Sequence, residues 1–219
     1  MTDPMPEIIL MCDPKVAAIP VRECGERLVD ARGSGLLIDE SRQDAAGHFA
    51  HVRKNVLERL LSAQAALPDG LRLLLVEGYR PPRLQEEYFA EYAEQLRAEN
   101  PRWTAEQVHS AASRYVSPPE VAPHPAGAAV DVTLADSSGA ELDLGTRMNA
   151  TPEESEGACY MSAANVSSLY RARRQVLATA MSSAGFVNYP SEWWHWSHHD
   201  RYWALVTGSP AAAYGPVTR

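Results

Sequence analysis

The residues best suited to chemistry are Arg80 in "EGYRPP", His124 and Asp131 in "APHPAGAAVDVTL", and Glu192 and His195 in "SEWWHW". A catalytic zinc takes three protein ligands from His, Asp, Glu or Cys and leaves a fourth position for water. His124, Asp131 and His195 supply such a set, and one Zn2+ per chain is the expected cofactor. Glu192, three residues before His195, is near enough to act as a base beside the metal without ligating it. It would take the proton that an acidified water must lose as it attacks a carbonyl. Arg80 offers a fixed cation to the developing oxyanion. Each residue also has a plainer use: Asp131 as a turn cap, Arg80 as a partner of Glu77, His195 as a core histidine bonded to a carbonyl. Glu192 is harder to explain that way, because an unpaired carboxylate beside two tryptophans is costly.

The elements must bring these residues together. His124 and Asp131 are seven residues apart, and on a straight strand they would point to opposite faces. They share a site only if the chain bends between them, and Pro125 and Gly127 permit that bend. A strand over about residues 127–134 then puts Val130, Val132 and Leu134 in the core. It puts Ala129, Asp131 and Thr133 on a face kept open by small neighbours. Apolar steps at Val52, Val56, Leu60, Ala63 and Leu67 predict a helix ended by Pro68 and Gly70. "LRLLLVEGYRPP" reads as a buried strand. "RLQEEYFAEYAEQLRAEN" and "TAEQVHSAASRYV" read as helices, the second capped by Thr104. "GAAVDVTLADSSGAELDL" predicts a hairpin with its turn at 136–139. "SAANVSSLYRARRQVLATAMSSAG" is a long helix closed by Gly185. "FVNYPSEWWHWSHHDRYWALVTG" reads as one or two strands, with Trp194 among aromatics that form core and pocket wall. Without strict βαβ alternation the class is α+β.

A length of 219 residues suits one domain, 1–219. The net charge of −8 argues against a nucleic-acid partner, which requires a basic footprint. No apolar run approaches the roughly 18 residues that span a bilayer, and "MTDPMPEIILMCDP" does not read as a signal peptide. Three cysteines without CxxC spacing fit reduced thiols in the cytoplasm and small buried hydrophobes. His48, His51 and His109 read as surface residues, and His198, His199 and Asp200 as a solvated strand end.

The order "EGYRP", then HxxGxxxD spacing at His124, Gly127 and Asp131, then "DLGT", then "EWWHW" resembles the D-alanyl-D-alanine dipeptidases, zinc peptidases related to lysostaphin. The resemblance runs over about residues 71–196. It implies an α+β fold, a small antiparallel sheet carrying the zinc with helices packed behind. It implies zinc on His124, Asp131 and His195, Glu192 as general base, and Arg80 stabilising the transition state. The implied activity is hydrolysis of a small peptide of the D-Ala-D-Ala type. Two departures fall on expected substrate-binding positions. Ala122 stands where the family has serine, and Asn149 stands where it has the aspartate that holds the substrate ammonium. "LGTRMN" also carries Leu144 and Met148 in place of methionine and phenylalanine. The catalytic set is intact while the substrate pocket is altered. A peptidase or amidase acting on a modified peptide in a biosynthetic pathway is therefore a second reading, and a non-catalytic zinc-stabilised binding protein a third.

Overall fold

The computed structural model describes residues 8–42, 44 and 46–217. The expectation about the N-terminus rests partly on residues 1–7, which lie outside the described residues. In chain order the elements are α1 (Pro14–Ala18), β1 (Leu28–Asp30), β2 (Leu37–Ile38), β3 (His51–Arg53), α2 (Lys54–Ala65), β4 (Leu71–Glu77), α3 (Pro82–Glu99), α4 (Ala105–Ala112), β5 (Ala129–Asp136), α5 (Ser168–Ser183), β6 (Val187–Asn188), β7 (His195–Ser197) and α6 (Arg201–Thr207).

The main sheet has the order β2-β4-β5-β7-β6. It is antiparallel except at its edge, where β2 pairs parallel with β4. The fold is thus α+β, as the pattern predicts. On one face Leu73 and Leu75 pair across from Leu134 and Val132, and all four are fully buried. Val56, Leu60 and Ala63 of α2 and Leu177 and Met181 of α5 close over the sheet from behind. The opposite face carries Asp131, which pairs with Glu77 on β4 and with His195 on β7. A register shift between Leu75 and Glu77 brings Glu77 to that face, since one extra residue in a strand re-aims the side chains beyond it.

Several boundaries differ from the sequence pattern. The helix stripe starts later, at Lys54, because Val52 pairs with Val29 in a two-stranded ladder and the Arg53 amide donates to the Gly127 carbonyl at 2.9 Å. Its spacing from Val56 imitates a helix step. The hairpin after β5 has its turn, where the Asp136 carboxylate accepts from the Ser138 and Ala140 amides, but its return arm is a single bridge, Ala135 to Glu141. The long helix begins at Ser168, capped by the Ser167 hydroxyl. Residues 201–207 form α6 rather than a strand, since Asp200 accepts from the Trp203 amide at 2.8 Å and caps a helix there. His198 and Asp200 are buried, not solvated. The His198 ring lies between the Gly185 carbonyl at 3.0 Å and Asn55 Oδ1 at 3.1 Å. His109 is exposed, but His48 and His51 are half-buried. Of the cysteines only Cys159 is buried; Cys12 is intermediate and Cys24 exposed.

Candidate metal centre and its cleft

His124 opens a short 3-10 turn over 124–126, and Gly127 leaves it with φ 64°. This left-handed residue makes the bend that turns the chain into β5 and puts His124 on the same side as Asp131. A side chain at Gly127 would meet Leu28 Cδ2 at 2.4 Å. Asp131 is the third residue of β5 and lies directly across from His195, the first residue of β7. The ligand atoms of His124, Asp131 and His195 all lie within 4.8 Å of one another, and all three residues are buried. Asp131 Oδ1 is 3.0 Å from His195 Nδ1 and 3.5 Å from His124 Nε2. His124 Nδ1 bonds the Gly78 carbonyl at 2.8 Å. Since that carbonyl can only accept, Nδ1 carries a proton, and Nε2, which faces Asp131, is the ring nitrogen left to bind a metal. His195 Nε2 is buried without a partner.

Burial alone would raise the Asp131 carboxyl; His124 and then His195 overcome this and hold it well below the usual carboxylate range. Burial is the largest influence on His124 and lowers it, but the charge of Asp131 and its hydrogen bond together outweigh burial and leave the imidazole raised. Two imidazoles and one carboxylate, convergent and shielded from water, are a donor set that fits a catalytic zinc. Glu192 Oε2 is 3.9 Å from His195 Nδ1. Burial pushes its carboxyl up to about 7, against the pull of His195. A general base works best with a pKa near the operating pH.

Arg80 satisfies both of its sequence readings. Its Nε and Nη2 bond Glu77 at 2.7 and 2.6 Å, and Nη1 bonds Gln85 Oε1 at 2.9 Å. The fork is held on the site face, where it also lies in the field of Asp131. Gln85 is fully buried and passes the contact on to the Ser117 carbonyl.

These residues open on a cleft of about 590 Å³, lined by Arg80, His124, Asp131, Asn149, Glu192, Trp194 and His195 among others. Asn149 takes φ 60°, a left-handed conformation that asparagine tolerates better than most residues. Its loop, 143–160, is gripped from below by the buried Arg174, which donates to the carbonyls of Leu144, Tyr160 and Ala158 at 2.7–2.8 Å. Trp194 walls the cleft as expected. Ala122 does not line it; this buried residue borders a separate crevice with Asp200 and Tyr214. The sequence reading missed the Gly78 carbonyl, Gln85, and the wall made by α3. Only the last left a signal, in the four-residue spacing of Leu84, Tyr88 and Tyr92.

Comparison with known proteins agrees with this geometry. A family model described as D-Ala-D-Ala dipeptidase matches residues 43–207. A D-alanyl-D-alanine dipeptidase of Synechocystis is 30% identical over 219 aligned positions, covering 85% of this chain and 87% of the relative. That of Enterococcus faecium is 30% identical over 148 positions, covering 65% of this chain and 70% of its own. Among solved structures, the LD-carboxypeptidase LdcB shares the fold at 18% identity, with a TM-score of 0.51 over 87% of this chain and 76% of that one. The chain belongs to the D-Ala-D-Ala dipeptidase family of metallopeptidases.

Proposed function

We propose that the chain hydrolyses the amide bond of a small peptide of the D-Ala-D-Ala type, with one Zn2+ held by His124, Asp131 and His195. The observation that carries this reading is the convergence of three buried donors within 4.8 Å, with the Glu192 carboxylate 3.9 Å from one of them in the same cleft. When bound, Zn2+ supplies Lewis acidity, acidifying water and polarising the scissile carbonyl. Glu192 takes the proton of the attacking water on a carboxylate oxygen and hands it to the leaving nitrogen as the C–N bond breaks. Its half-apolar surroundings keep it basic enough for the first transfer and acidic enough for the second. Arg80, locked by Glu77 and Gln85, presents a fixed positive charge to the oxyanion, and such preorganisation avoids reorienting the donor as charge develops. The Gly78 carbonyl keeps His124 Nε2 aimed into the site. No helix among the described residues is long and apolar enough to cross a membrane. Three unpaired thiols support a reducing compartment such as the cytoplasm.

The test is metal content and D-Ala-D-Ala hydrolysis on one preparation, wild type beside Glu192→Gln. One zinc per chain in both proteins, with turnover lowered about 10²–10⁴-fold in the variant, is the expected result. Equal turnover in the two would remove Glu192 from the mechanism, and absence of bound metal would remove the ligand set.

A further inference from the structure

A general base must be aimed as well as basic. The Glu192 carboxylate stands 3.9 Å from His195 Nδ1, beyond hydrogen-bond range, so that ligand does not fix its direction. The backbone that carries it must contribute, and that backbone is a turn. Residues 189–195 join β6 to β7 at the edge of the main sheet. The Tyr189 amide donates to the His195 carbonyl at 3.0 Å and closes the turn at its base. On the outer side the Trp193 amide donates to the Cys159 carbonyl, and the Met161 amide to the Pro190 carbonyl, each at 3.0 Å. The Trp194 carbonyl accepts from the Val132 amide of β5 at 3.0 Å.

Glu192 sits between these anchors and is held less firmly by the backbone. Its amide donates to the Tyr189 carbonyl at 2.9 Å, but its carbonyl meets only one main-chain donor among the described residues, the His195 amide at 3.3 Å. Asn188, the last residue of β6, supplies what is missing. Its Nδ2 donates to the Glu192 carbonyl at 3.0 Å and to the His195 carbonyl at 3.0 Å. Carbonyls can only accept, so the NH2 end of the amide faces them, with one hydrogen for each. Asparagine is depleted in strands; at the end of β6, across from Trp196, it brings a two-hydrogen donor to the turn. The two bonds differ in consequence. Without Asn188, His195 still has the Tyr189 amide on its carbonyl and its pairing with Asp131 on β5. Glu192 would keep only the long contact.

Resting on the hydrolase reading, we propose that Asn188 is a positioning residue for the general base: its amide fixes the Glu192 backbone, and with it the reach of the carboxylate, while the metal ligands hold without it. A misplacement of about 1 Å can cost about 10²-fold in rate, so a loosened turn shows in turnover before it shows in metal binding.

Wild type, Asn188→Leu, Glu192→Gln and the double variant are assayed as zinc-loaded full chains on D-Ala-D-Ala, with zinc affinity by chelator competition and a thermal melt on each. Leucine keeps the shape of asparagine and lacks its donors. The expected kcat of Asn188→Leu is at least tenfold below wild type, with KM and zinc affinity within threefold. In the Glu192→Gln background the same substitution should change the residual kcat by less than twofold, because residues acting as a unit are not additive. Asn188→Ala removes the same donors without filling their place and carries the test if leucine prevents folding. An unchanged kcat, even with a lower Tm, overturns the proposal. Zinc affinity that falls with kcat moves the role to His195 and overturns it too, as does a loss that persists in the Glu192→Gln background. Wild type that loads zinc and cleaves nothing overturns the hydrolase reading, and the positioning role with it.

Discussion

Gly78 offers the sharpest test of how the fold aims its metal ligand. A Cβ at this position would sit 2.4 Å from the His51 carbonyl oxygen and 2.6 Å from Val52 Cγ1, where ordinary contact begins near 3.4 Å. Gly78→Ala must therefore move the two segments apart by about 1 Å, an overpacking that costs about 1–3 kcal/mol. At this chain length that corresponds to roughly 3–10 °C in Tm. The Gly78 carbonyl moves with its Cα, and it is the acceptor for His124 Nδ1 at 2.8 Å. A 1 Å displacement breaks that bond, since N–H···O contacts fade beyond about 3.2 Å. Loss of such an outer partner weakens metal binding by about 10–100-fold. The assays are a chelator competition for zinc affinity and a thermal melt on the same protein. Val52→Ala in the Gly78→Ala background should not restore either quantity, because the closest obstacle is backbone. The reasoning is refuted if Gly78→Ala binds zinc as tightly as wild type, or if Val52→Ala rescues it.

Three further outcomes can be checked. Arg80→Lys keeps the charge but loses the fork on Glu77 and the bond to Gln85; kcat should fall about 10–100-fold, consistent with one misplaced oxyanion donor, with KM within threefold, in steady-state assays. Arg174→Met strands three buried carbonyls and should cost on the order of 3 kcal/mol, read by urea titration, while KM rises more than kcat falls because the loop bearing Asn149 loosens. His198 is held by burial at about 4 against an ordinary 6.5, so the unfolded chain takes up its proton first as pH falls. Its contribution is complete above about 6.5 and is lost progressively down to about 4, up to about 3 kcal/mol. In stability-versus-pH curves His198→Gln should flatten this slope; an unchanged slope would assign it to other groups.

The site was more legible in the sequence than the fold around it. His124, Asp131, Glu192 and His195 stood out by residue type and by the bend that Gly127 permits, but spacing alone left plainer uses open, and the ordered motifs that resemble the dipeptidases selected them. The central strand was legible from its alternation, although it begins at Ala129 rather than 127. What failed were short elements whose identity depends on distant partners. Val52 has helix spacing from Val56 but strand hydrogen bonds to Val29, and the ladder decides. The aromatic stretch after Trp196 reads as strand by residue type, yet Asp200 supplies a helix cap, a local bond stronger than the propensity. Ala122 matched a family position in order, but the turn over 124–126 carries it to the far side of the wall. Gly78 and Gln85 act through a carbonyl and a side-chain relay, and residue type says nothing of either until the backbone is known.

The grip of Arg174 on loop 143–160 has an evolutionary consequence. All three acceptors are main-chain carbonyls, which every amino acid carries alike. Exchanges at exposed positions of the loop such as Asn149 leave those acceptors in place while rewriting what the loop shows to an incoming molecule. Anchoring and recognition are inherited separately, so a lineage built on this scaffold can drift from one peptide to another by substitutions in a single loop without first losing the loop's position.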